Sequence, residues 1–502
     1  MHTENRFNLI DEPWIPIVDV GRVSLKQIFS ESTYCALGGN PVQKIALIKL
    51  LLAIAQSAYT PKDDDDWVAL GADGLAQKCL GYLEKWHERF WLYGERPFLQ
   101  MPEINKAAVQ NFGAVLPEVA TGNTTILTEK QIERNLIKAD QALLLISLMG
   151  FSLGGKKTDN SVVLSIDYSD KSNEKGKPST GKPGPSIGFM GFMHNFLLGE
   201  SILQTLWFNL FTTEELREIS FYPLGVGIAP WEEMPKSECC NTAEKLKKSL
   251  MGRLIPLSRF CLLDKEGLHY SEGIAHPGYK KGVVDTSIAV NFSGKDPKVI
   301  WVDPEKRPWR YITALLSCIS NNNQDNFSCT NIKYGLNRIS RQVNKFSVWS
   351  GGLRVSSNAG EQYVSGSDDF IESTIMLYTK WLGETWYAQL QIEMSKLDNL
   401  SKIIYGATIN YFKSQQTDGK EQAKLAANLY WQLCERKFQS LVDTCGEEEK
   451  QTRDKKLDRI HQNFANCIYK SYDTFCQKET ARQLDAWAKN RPNLGKYLKN
   501  ED

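Results

Sequence analysis

A short segment rich in glycine and lysine has the residue types and spacing closest to a chemical site. Gly150, Gly155 and Lys156 match the GxxxxGK pattern of a phosphate-binding loop, in which backbone N–H groups and a lysine hold nucleotide phosphates. Such a loop also needs Ser or Thr after the lysine, because that hydroxyl binds Mg²⁺, and this chain has Lys157 there. The sequence therefore disfavours an NTPase. Glycines of a turn, or a backbone surface that approaches nucleic acid, account for Gly154 and Gly155 more simply.

The remaining candidates for catalysis or metal binding are weak. Four acidic residues at 63–66 precede an apolar stretch, which suits the positive N-terminal end of a helix better than a metal site. The six histidines are scattered, with His269 and His276 closest together, and Cys239 and Cys240 lack the spacing of zinc ligands. The sequence contains no GxSxG elbow and no cysteine nucleophile motif. We therefore predict no catalytic residue, no metal and no cofactor, and hence no enzyme.

Composition limits the class of protein. The chain has 502 residues, of which 42% are hydrophobic and 24% charged, as in soluble globular proteins of two or three domains. Its formal net charge is +1, whereas a DNA-binding protein that acts alone is usually basic. Any contact with nucleic acid must then be local, with neighbouring subunits neutralising most of the phosphates. The eleven cysteines include no CxxC pair, which predicts free thiols in a reducing compartment.

The N-terminal part of the chain mixes extended and helical patterns. Residues 14–20 look extended and residues 42–59 look helical. The longest apolar run, residues 45–55, is interrupted by Lys49 and is shorter than the about 20 residues that cross a bilayer, so we predict a buried helix and no membrane partner. No apolar segment follows the charged residues at the N-terminus, which predicts a cytoplasmic protein.

A change of character late in the chain predicts two domains. Residues 1–365 should form a large mixed α+β domain, and residues 366–502 a C-terminal four-helix bundle. Two of its helices are predicted at 370–394 and 397–412. Apolar residues at three- and four-residue steps predict the other two, with the stripes Leu425, Leu429, Leu433, Phe438 and Leu441, and Leu457, Ile460, Phe464, Cys467, Ile468, Tyr472 and Phe475.

Basic residues provide modest local signals for nucleic-acid binding. Lys156 and Lys157 follow the glycines, and Lys280 and Lys281 form a second pair. Residues 170–186 are rich in Lys, Gly and Pro and should form a surface loop. Lysine is almost always exposed whatever a protein does, so the residues alone favour solvated lysines over a binding site.

Four short segments carry a family resemblance. In chain order they are LIDEPWIP at 9–16, AQSAYTP at 55–61, RPFLQ at 96–100 and SGGLR at 350–354. With the chain length and the closing helices, their order makes the whole chain resemble the CasA family, the large subunit of the type I-E CRISPR Cascade surveillance complex. The resemblance implies a subunit without catalytic activity. Its implied partners are the backbone, small and guide-end subunits of Cascade, the guide RNA and double-stranded target DNA.

The resemblance assigns DNA reading to five residues. In that family, guide RNA pairing reads the target and the protein reads a short duplex motif, the PAM, a logic shared with other CRISPR effectors. A glycine-containing loop and a lysine approach the minor groove, whose degenerate acceptor pattern permits tolerant reading. The resemblance places the loop at Gly154 and Gly155, beside Lys156 and Lys157. It places the minor-groove lysine at Lys265.

The resemblance also implies a wedge that parts the first base pairs beside the PAM. The family usually carries an amide side chain after its Gly-Gly landmark. Here Ser356 and Ser357 occupy the expected amide positions after Arg354. Asn358 and Gln362 from the same stretch are then the candidate amides.

The last implied assignments concern partners. Thr125, Ile126 and Thr128 are the expected residues of a loop that anchors the subunit near the 5′ end of the guide RNA. The 170–186 loop should contact DNA phosphates or remain disordered, and the bundle should face the small subunits and the opened DNA. Cleavage would belong to a recruited helicase-nuclease that docks on this subunit after R-loop formation. The alternatives are an assembly scaffold that binds only protein and guide RNA, and a P-loop NTPase.

Overall fold

The computed structural model describes residues 6–116, 134–151, 158–159, 162–165, 191–320, 327–355 and 370–498. The chain forms two compact units. The first comprises Met1–Pro308 and Gln324–Thr374, and the second comprises Trp309–Asn323 and Ile375–Asp502. The predicted boundary between residues 365 and 366 lies outside the described residues, so that division stays a prediction.

Short polar caps begin the helices at the start of the first unit. The elements are β1 (Ile15–Ile17), β2 (Gly21–Val23), α1 (Leu25–Ser30), α2 (Pro41–Ala58) and α3 (Asp64–Lys85). At the start of α3 the Asp63 side chain accepts a hydrogen bond from the Asp66 N–H at 2.9 Å. The acidic residues at 63–66 therefore cap a helix, as predicted, and their charges lie at its positive end.

The helix α2 is a core helix of the first unit and confirms the buried helix predicted at 45–55. By length and composition it passes for a membrane span, but 78% of its residues are buried inside the protein. Lys49 on this helix is buried and ion-paired with Asp285. A helix that is apolar on all sides packs inside a domain, which explains why so little of α2 meets solvent.

The rest of the chain before the last strand consists of short helices and small sheets. The helices are α4 (Phe112–Val115), α5 (Lys138–Phe151), α6 (Ile202–Phe208), α7 (Thr213–Glu218), α8 (Asn241–Lys247), α9 (Met251–Leu254), α10 (Ile312–Leu315), which belongs to the second unit, and α11 (Thr330–Ile339). In order of pairing, the sheets are β3 (Val109–Asn111), β6 (Gly267–Glu272) and β5 (Arg259–Leu263); β8 (Lys298–Val299), β7 (Ala289–Asn291) and β9 (Phe327–Cys329); and β11 (Phe370–Tyr378), β10 (Lys345–Leu353) and β4 (His194–Leu198). This mixture confirms the α+β class.

The C-terminal helices are confirmed, but their division differs from the prediction. They are α12 (Glu384–Ser414), α13 (Lys420–Cys445), α14 (Lys450–Phe475), α15 (Ala481–Asn490) and α16 (Gly495–Leu498). The helix predicted at 370–394 is wrong, because 370–378 is the strand β11, and 397–412 lies inside the single long helix α12. Ile371, Ile375 and Leu377 are buried at even spacings, which is the period of a strand. Three long helices, with the short α15 packed against α12, form the bundle.

The two predicted apolar stripes have different outcomes. On α14, Leu457, Ile460, Phe464, Ile468 and Tyr472 are buried as predicted, whereas Cys467 and Phe475 are half-buried. On α13 the stripe is wrong in its first half, where Leu425 is 52% exposed. The buried residues of α13 are Ala423, Ala426, Tyr430, Trp431, Cys434, Phe438, Leu441, Val442, Thr444 and Cys445. Small and aromatic residues, rather than the leucines, make the helix contacts there.

A segment from the middle of the chain belongs to the second unit. Trp309 is 2% exposed and lies against Trp431 and Phe438, with ring centroids 5.6 and 4.3 Å apart. Arg310 lies over the Trp431 ring at 3.7 Å, a cation–π contact. These contacts hold a short segment against α13. Its pattern in the sequence has no clear period, so the domain assignment could not be read from the residues.

Candidate nucleic-acid interface

The β5–β6 hairpin presents Lys265 at its tip. Leu263 pairs with Leu268, and the Asp264 N–H donates to the Gly267 carbonyl at 2.9 Å, which closes the turn. Lys265 is exposed in this turn, between two exposed carboxylates. The structure therefore places the predicted minor-groove lysine where an isolated positive charge projects from a two-stranded support.

Neighbouring chain holds this hairpin rigidly. The Gln100 amide oxygen accepts a hydrogen bond from the Leu263 N–H at 2.8 Å, and the Met101 N–H donates to the Cys261 carbonyl at 2.9 Å. Strand β3 lies so close to the turn that a Cβ on Gly267 would be 2.2 Å from the Gln110 carbonyl oxygen. Glycine is required there because any side chain would push the strands apart.

The glycine-and-lysine segment begins and ends beside the same hairpin. Before the segment, the Ser258 N–H donates to the Met149 carbonyl at 2.9 Å. After it, the Asp159 N–H donates to the Tyr270 carbonyl at 2.9 Å. Gly154, Gly155, Lys156 and Lys157 themselves lie outside the described residues. Their two flanks are nevertheless fixed to the first residues of the hairpin and to β6.

The P-loop alternative is wrong. A phosphate-binding loop of that class follows a β-strand and opens a helix, whereas the apolar run before the segment is the helix α5, which ends at Phe151. The order of elements is thus reversed on the amino-terminal side. The GxxxxGK spacing is accidental in this fold.

A buried polar chain fixes the start of the glycine segment. His276 Nε2 lies 2.6 Å from the Pro256 carbonyl oxygen, which can only accept, so His276 donates there and its Nδ1 accepts from Arg253 at 3.1 Å. Burial, together with the Arg253 charge, lowers the pKa of His276 to about 3. This histidine is a neutral positioning group. It holds Pro256, whose ring is 3.5 Å from where a Cβ on Gly150 would lie.

The SGGLR landmark forms the end of β10, next to the end of α5. Gly351 pairs with His194 of β4, and the His194 ring lies edge-on to Phe151 with centroids 5.4 Å apart. A Cβ on Gly351 would lie 2.8 Å from the Ile371 carbonyl oxygen, so this position also requires glycine. Arg354 is half-buried one residue past the strand. The other wedge candidates, Ser356, Ser357, Asn358 and Gln362, lie outside the described residues, as do the guide-anchoring Thr125, Ile126 and Thr128.

His194 is tied to a buried ion pair that sequence reasoning missed. Its Nδ1 lies 2.8 Å from Ser287 Oγ, and that hydroxyl donates to the Asp285 carboxylate at 2.7 Å. Asp285 is also paired with Lys49 of α2. Burial raises the pKa of Asp285, but the Lys49 charge, His194 and Ser287 outweigh it, so the carboxyl pKa is lowered overall. Because the four residues come from distant parts of the chain, no local pattern marked them.

An aromatic cluster lies beside the predicted basic pair. Lys280 and Lys281 are exposed in a 3-10 turn, Tyr279–Lys281. Phe192 lies 5.6 Å from the Tyr279 ring and 5.0 Å from the Trp301 ring, by centroids. Trp301 is 40% exposed. The exposed tryptophan is a candidate contact residue that the sequence analysis did not single out, although an aromatic side chain near two lysines was a usable signal.

The described residues bring no three His, Cys, Asp or Glu side chains together as metal ligands. Each of the eleven cysteines is a free thiol, which confirms that prediction. What the structure assembles is a platform in which the Lys265 hairpin, the flanks of the glycine segment and the end of β10 are linked by buried contacts. Such an arrangement can present backbone and isolated charges to a rigid ligand.

The fold is shared with solved structures of one protein class. Cse1 from Thermobifida fusca has a TM-score of 0.73 at 17% identity, covering 99% of this chain and 98% of its own. A chain of a CRISPR RNA-guided surveillance complex has a TM-score of 0.66 at 13% identity, covering 97% of this chain and 99% of its own. At these identities the likeness concerns the fold alone.

Sequence comparison then shows the family. A family model of the CRISPR-associated protein Cse1 matches residues 8–469, so the chain belongs to the Cse1 family. CRISPR-associated protein CasA/Cse1 from Thermus thermophilus is 27% identical over 344 residues, which cover 63% of this chain. The match spans 61% of that relative's length, less than two thirds. These results confirm the resemblance seen in the four sequence landmarks.

Proposed function

We propose that this chain is the non-catalytic large subunit of a cytoplasmic type I-E Cascade complex, that it recognises the PAM in double-stranded DNA, and that it helps open the duplex for guide RNA pairing. Family membership supports the assembly, because a relative of the same fold is a chain of a CRISPR RNA-guided surveillance complex. The observation that carries the DNA-reading role is the exposed Lys265 on a hairpin that also holds both flanks of the glycine segment.

Charge favours groove reading over phosphate clamping at the hairpin tip. Lys265 lies between Asp264 and Glu266, so the turn has no net positive charge to attract a phosphate backbone. A lysine reaching between phosphates to minor-groove acceptors makes one directed contact and gains little from its acidic neighbours' field. We therefore assign Lys265 to the base edges and the glycine segment, with Lys156 and Lys157, to the backbone of the same duplex.

Strand opening fits the residues after β10. A wedge that unstacks base pairs needs a rigid support, since the unstacking costs a few kcal/mol per step. β10 is paired on both sides, by β4 and β11, and its Gly351 leaves no room for movement against β11. Arg354 and the stretch with Ser356, Ser357, Asn358 and Gln362 extend from this support, and we assign them the wedge.

The remaining partners follow from the near-zero net charge. A protein of charge +1 gains little long-range attraction to DNA, so the backbone, small and guide-end subunits and the guide RNA must supply most of the binding energy. We assign Thr125, Ile126 and Thr128 to guide RNA, and the 170–186 loop to DNA phosphates. The recruited helicase-nuclease would dock on this subunit once the R-loop has formed.

The decisive experiment compares two lysines in similar turns. Complex reconstituted with the Lys265→Ala chain should bind PAM-bearing duplex about 1–3 kcal/mol more weakly, and should lose most of its preference over a duplex with a scrambled PAM. The matched control is Lys295→Ala, an exposed lysine in the turn between β7 and β8. Gel-shift titrations at fixed salt measure both.

The same titrations separate the alternative function. If the chain were a scaffold for protein and guide RNA only, Lys265→Ala and Lys295→Ala complexes would assemble normally and keep an unchanged PAM preference. That result would remove Lys265 from DNA reading. Complexes lacking this chain that still discriminate the PAM would overturn the proposed function as a whole.

A further inference from the structure

Two cysteines face each other between the long helices of the second unit. Cys434 lies on α13 and is 0% exposed, and Cys467 lies on the neighbouring α14 and is half-buried. Their side chains are hydrogen-bonded to each other. α13 and α14 are consecutive helices that pack along their length, so this contact joins two elements of one unit.

The surroundings make the two thiols unequal. The hydrogen bond from Cys434 lowers the pKa of Cys467, and Lys470 and Lys437 lower it further, against the opposing effect of burial. Burial raises the pKa of Cys434 well above its usual range. Lys437 and Lys470 each follow a cysteine by three residues, the spacing of neighbours on one helix face. Cys467 is therefore the thiolate with access to solvent, and Cys434 is a protonated thiol beside it.

Neither helix packing nor the proposed DNA reading needs this pair. An alanine or valine at either position would fill a helix interface of this kind, and the pair lies outside the hairpin platform described above. In reducing compartments, two adjacent thiols of unequal acidity are the arrangement used by redox-sensing cysteines, in which an accessible thiolate has a resolving partner. The geometry and the charges point to the same chemistry.

We propose that Cys434 and Cys467 form a reversible oxidation site that closes to a disulfide when the protein meets a hydroperoxide. The Cys467 thiolate attacks one peroxide oxygen, the O–O bond breaks, and Cys467 becomes a sulfenic acid while the departing hydroxide takes a proton to become water. The Cys434 sulfur then attacks the sulfenic sulfur, and the S–O bond breaks with release of a second water. The two sulfurs lose two electrons and hydrogen peroxide gains them.

The disulfide would fix α13 to α14 near the middle of the bundle. A cross-link removes conformational freedom from the chain between its two ends, here most of the α13–α14 hairpin. The reduced form leaves the two helices free to slide or separate. The oxidised second unit should therefore be the more rigid state, and a cellular thiol would restore the reduced one.

The experiment treats the full-length protein with hydrogen peroxide, alkylates the remaining thiols after denaturation, and maps tryptic peptides by mass spectrometry. Cleavage after Lys424, Arg436, Arg459 and Lys470 isolates each cysteine in its own peptide, 425–436 and 460–470. We expect these two peptides to appear joined, lighter than their sum by two hydrogen atoms, and to separate after treatment with dithiothreitol. Alkylated Cys434 and Cys467 should be lost in parallel.

Matched variants identify the roles. Cys445→Ser removes another buried cysteine of α13 and should leave the joined peptides unchanged. Cys434→Ser removes the resolving thiol, so Cys467 should accumulate as sulfenic and then sulfinic acid. Exposed Cys35 reports in every sample that peroxide has acted.

The wild-type measurement alone can overturn the proposal, whether or not a variant folds. It is wrong if Cys434 and Cys467 remain fully alkylated at peroxide doses that oxidise Cys35. It is equally wrong if Cys467 becomes sulfinic acid in the wild-type protein without the joined peptides. Because no DNA or partner subunit is present, either outcome leaves the proposed function untouched.

Discussion

The Gln100 side chain accepts a hydrogen bond from the backbone N–H of Leu263 at 2.8 Å, two residues before the exposed Lys265. Gln100 is the last residue of the RPFLQ landmark, and its own amide group donates to the Leu92 carbonyl at 2.7 Å. One buried amide thus ties the landmark turn to the hairpin. This contact gives a physical reason for the landmark, since the amide sets where the hairpin tip projects.

Gln100→Leu should weaken DNA reading without touching DNA. The change leaves the buried Leu263 N–H and Leu92 carbonyl without partners, which costs about 1–3 kcal/mol of stability. Loss of the contact frees the end of β5, so PAM preference should fall while Lys265 is intact. Thermal unfolding and gel-shift titration measure the two effects. Gln56→Leu, another buried amide of the first unit, controls for general destabilisation. Equal loss of PAM preference in both variants would contradict a specific role for Gln100.

Gly267→Ala should disturb the same hairpin from its other side. The new methyl would meet the Gln110 carbonyl oxygen at 2.2 Å, and overpacking of this kind costs about 1–3 kcal/mol. Gly294→Ala is the matched control, because the nearest atom to its Cβ is the Asp296 carbonyl oxygen at 3.7 Å. Denaturant titration should show a lowered midpoint for Gly267→Ala only. Similar midpoints for the two variants would mean that β3 can move aside.

Lys49→Met should be among the most damaging single changes in α2. It leaves the Asp285 carboxylate buried without its counter-charge, and breaking a buried pair from one side costs about 3–5 kcal/mol. The double variant Lys49→Met with Asp285→Asn removes both charges and should recover part of the lost stability. Unfolding midpoints of the single and double variants give the coupling. Simple addition of the two losses would show that the pair is not coupled.

Glu272 should make stability depend on pH. Burial, with a contribution from Glu238 and against that of Arg259, raises the pKa of Glu272 from 4.5 to about 7. Between these values the folded state holds a proton that the unfolded state has lost, so stability falls as pH rises from 4.5 to 7. Glu272→Gln should remove this slope and add on the order of 2–3 kcal/mol at pH 8.

Unfolding midpoints at pH 5 and pH 8 measure the Glu272 effect. Glu214→Gln, at an exposed carboxylate of α7, is the control and should leave the slope unchanged. A Glu272→Gln protein with the wild-type pH dependence would show that another group titrates in this range.

The sequence by itself determined the elements whose signals are local. The caps of α3, the buried α2 and the stripe on α14 were readable because hydrogen bonds and helical periodicity involve residues a few positions apart. The strand β11 was missed because its even-spaced isoleucines lay next to a long helical pattern, and acidic residues before it imitated a cap. The first half of α13 was misread because its contacts use alanine and tyrosine, which binary hydrophobicity undervalues.

Only the tertiary structure decided how the candidate interface is built. The sequence, through its family resemblance, named Lys265 and the SGGLR segment, but nothing local indicated that Gln100, His194 and His276 hold them in place. Those contacts join residues that are far apart in the chain, and their energies come from burial and from satisfied polar groups. Such terms exist only after the chain has closed on itself, and for that reason the fold, rather than any motif, fixes where the lysine points.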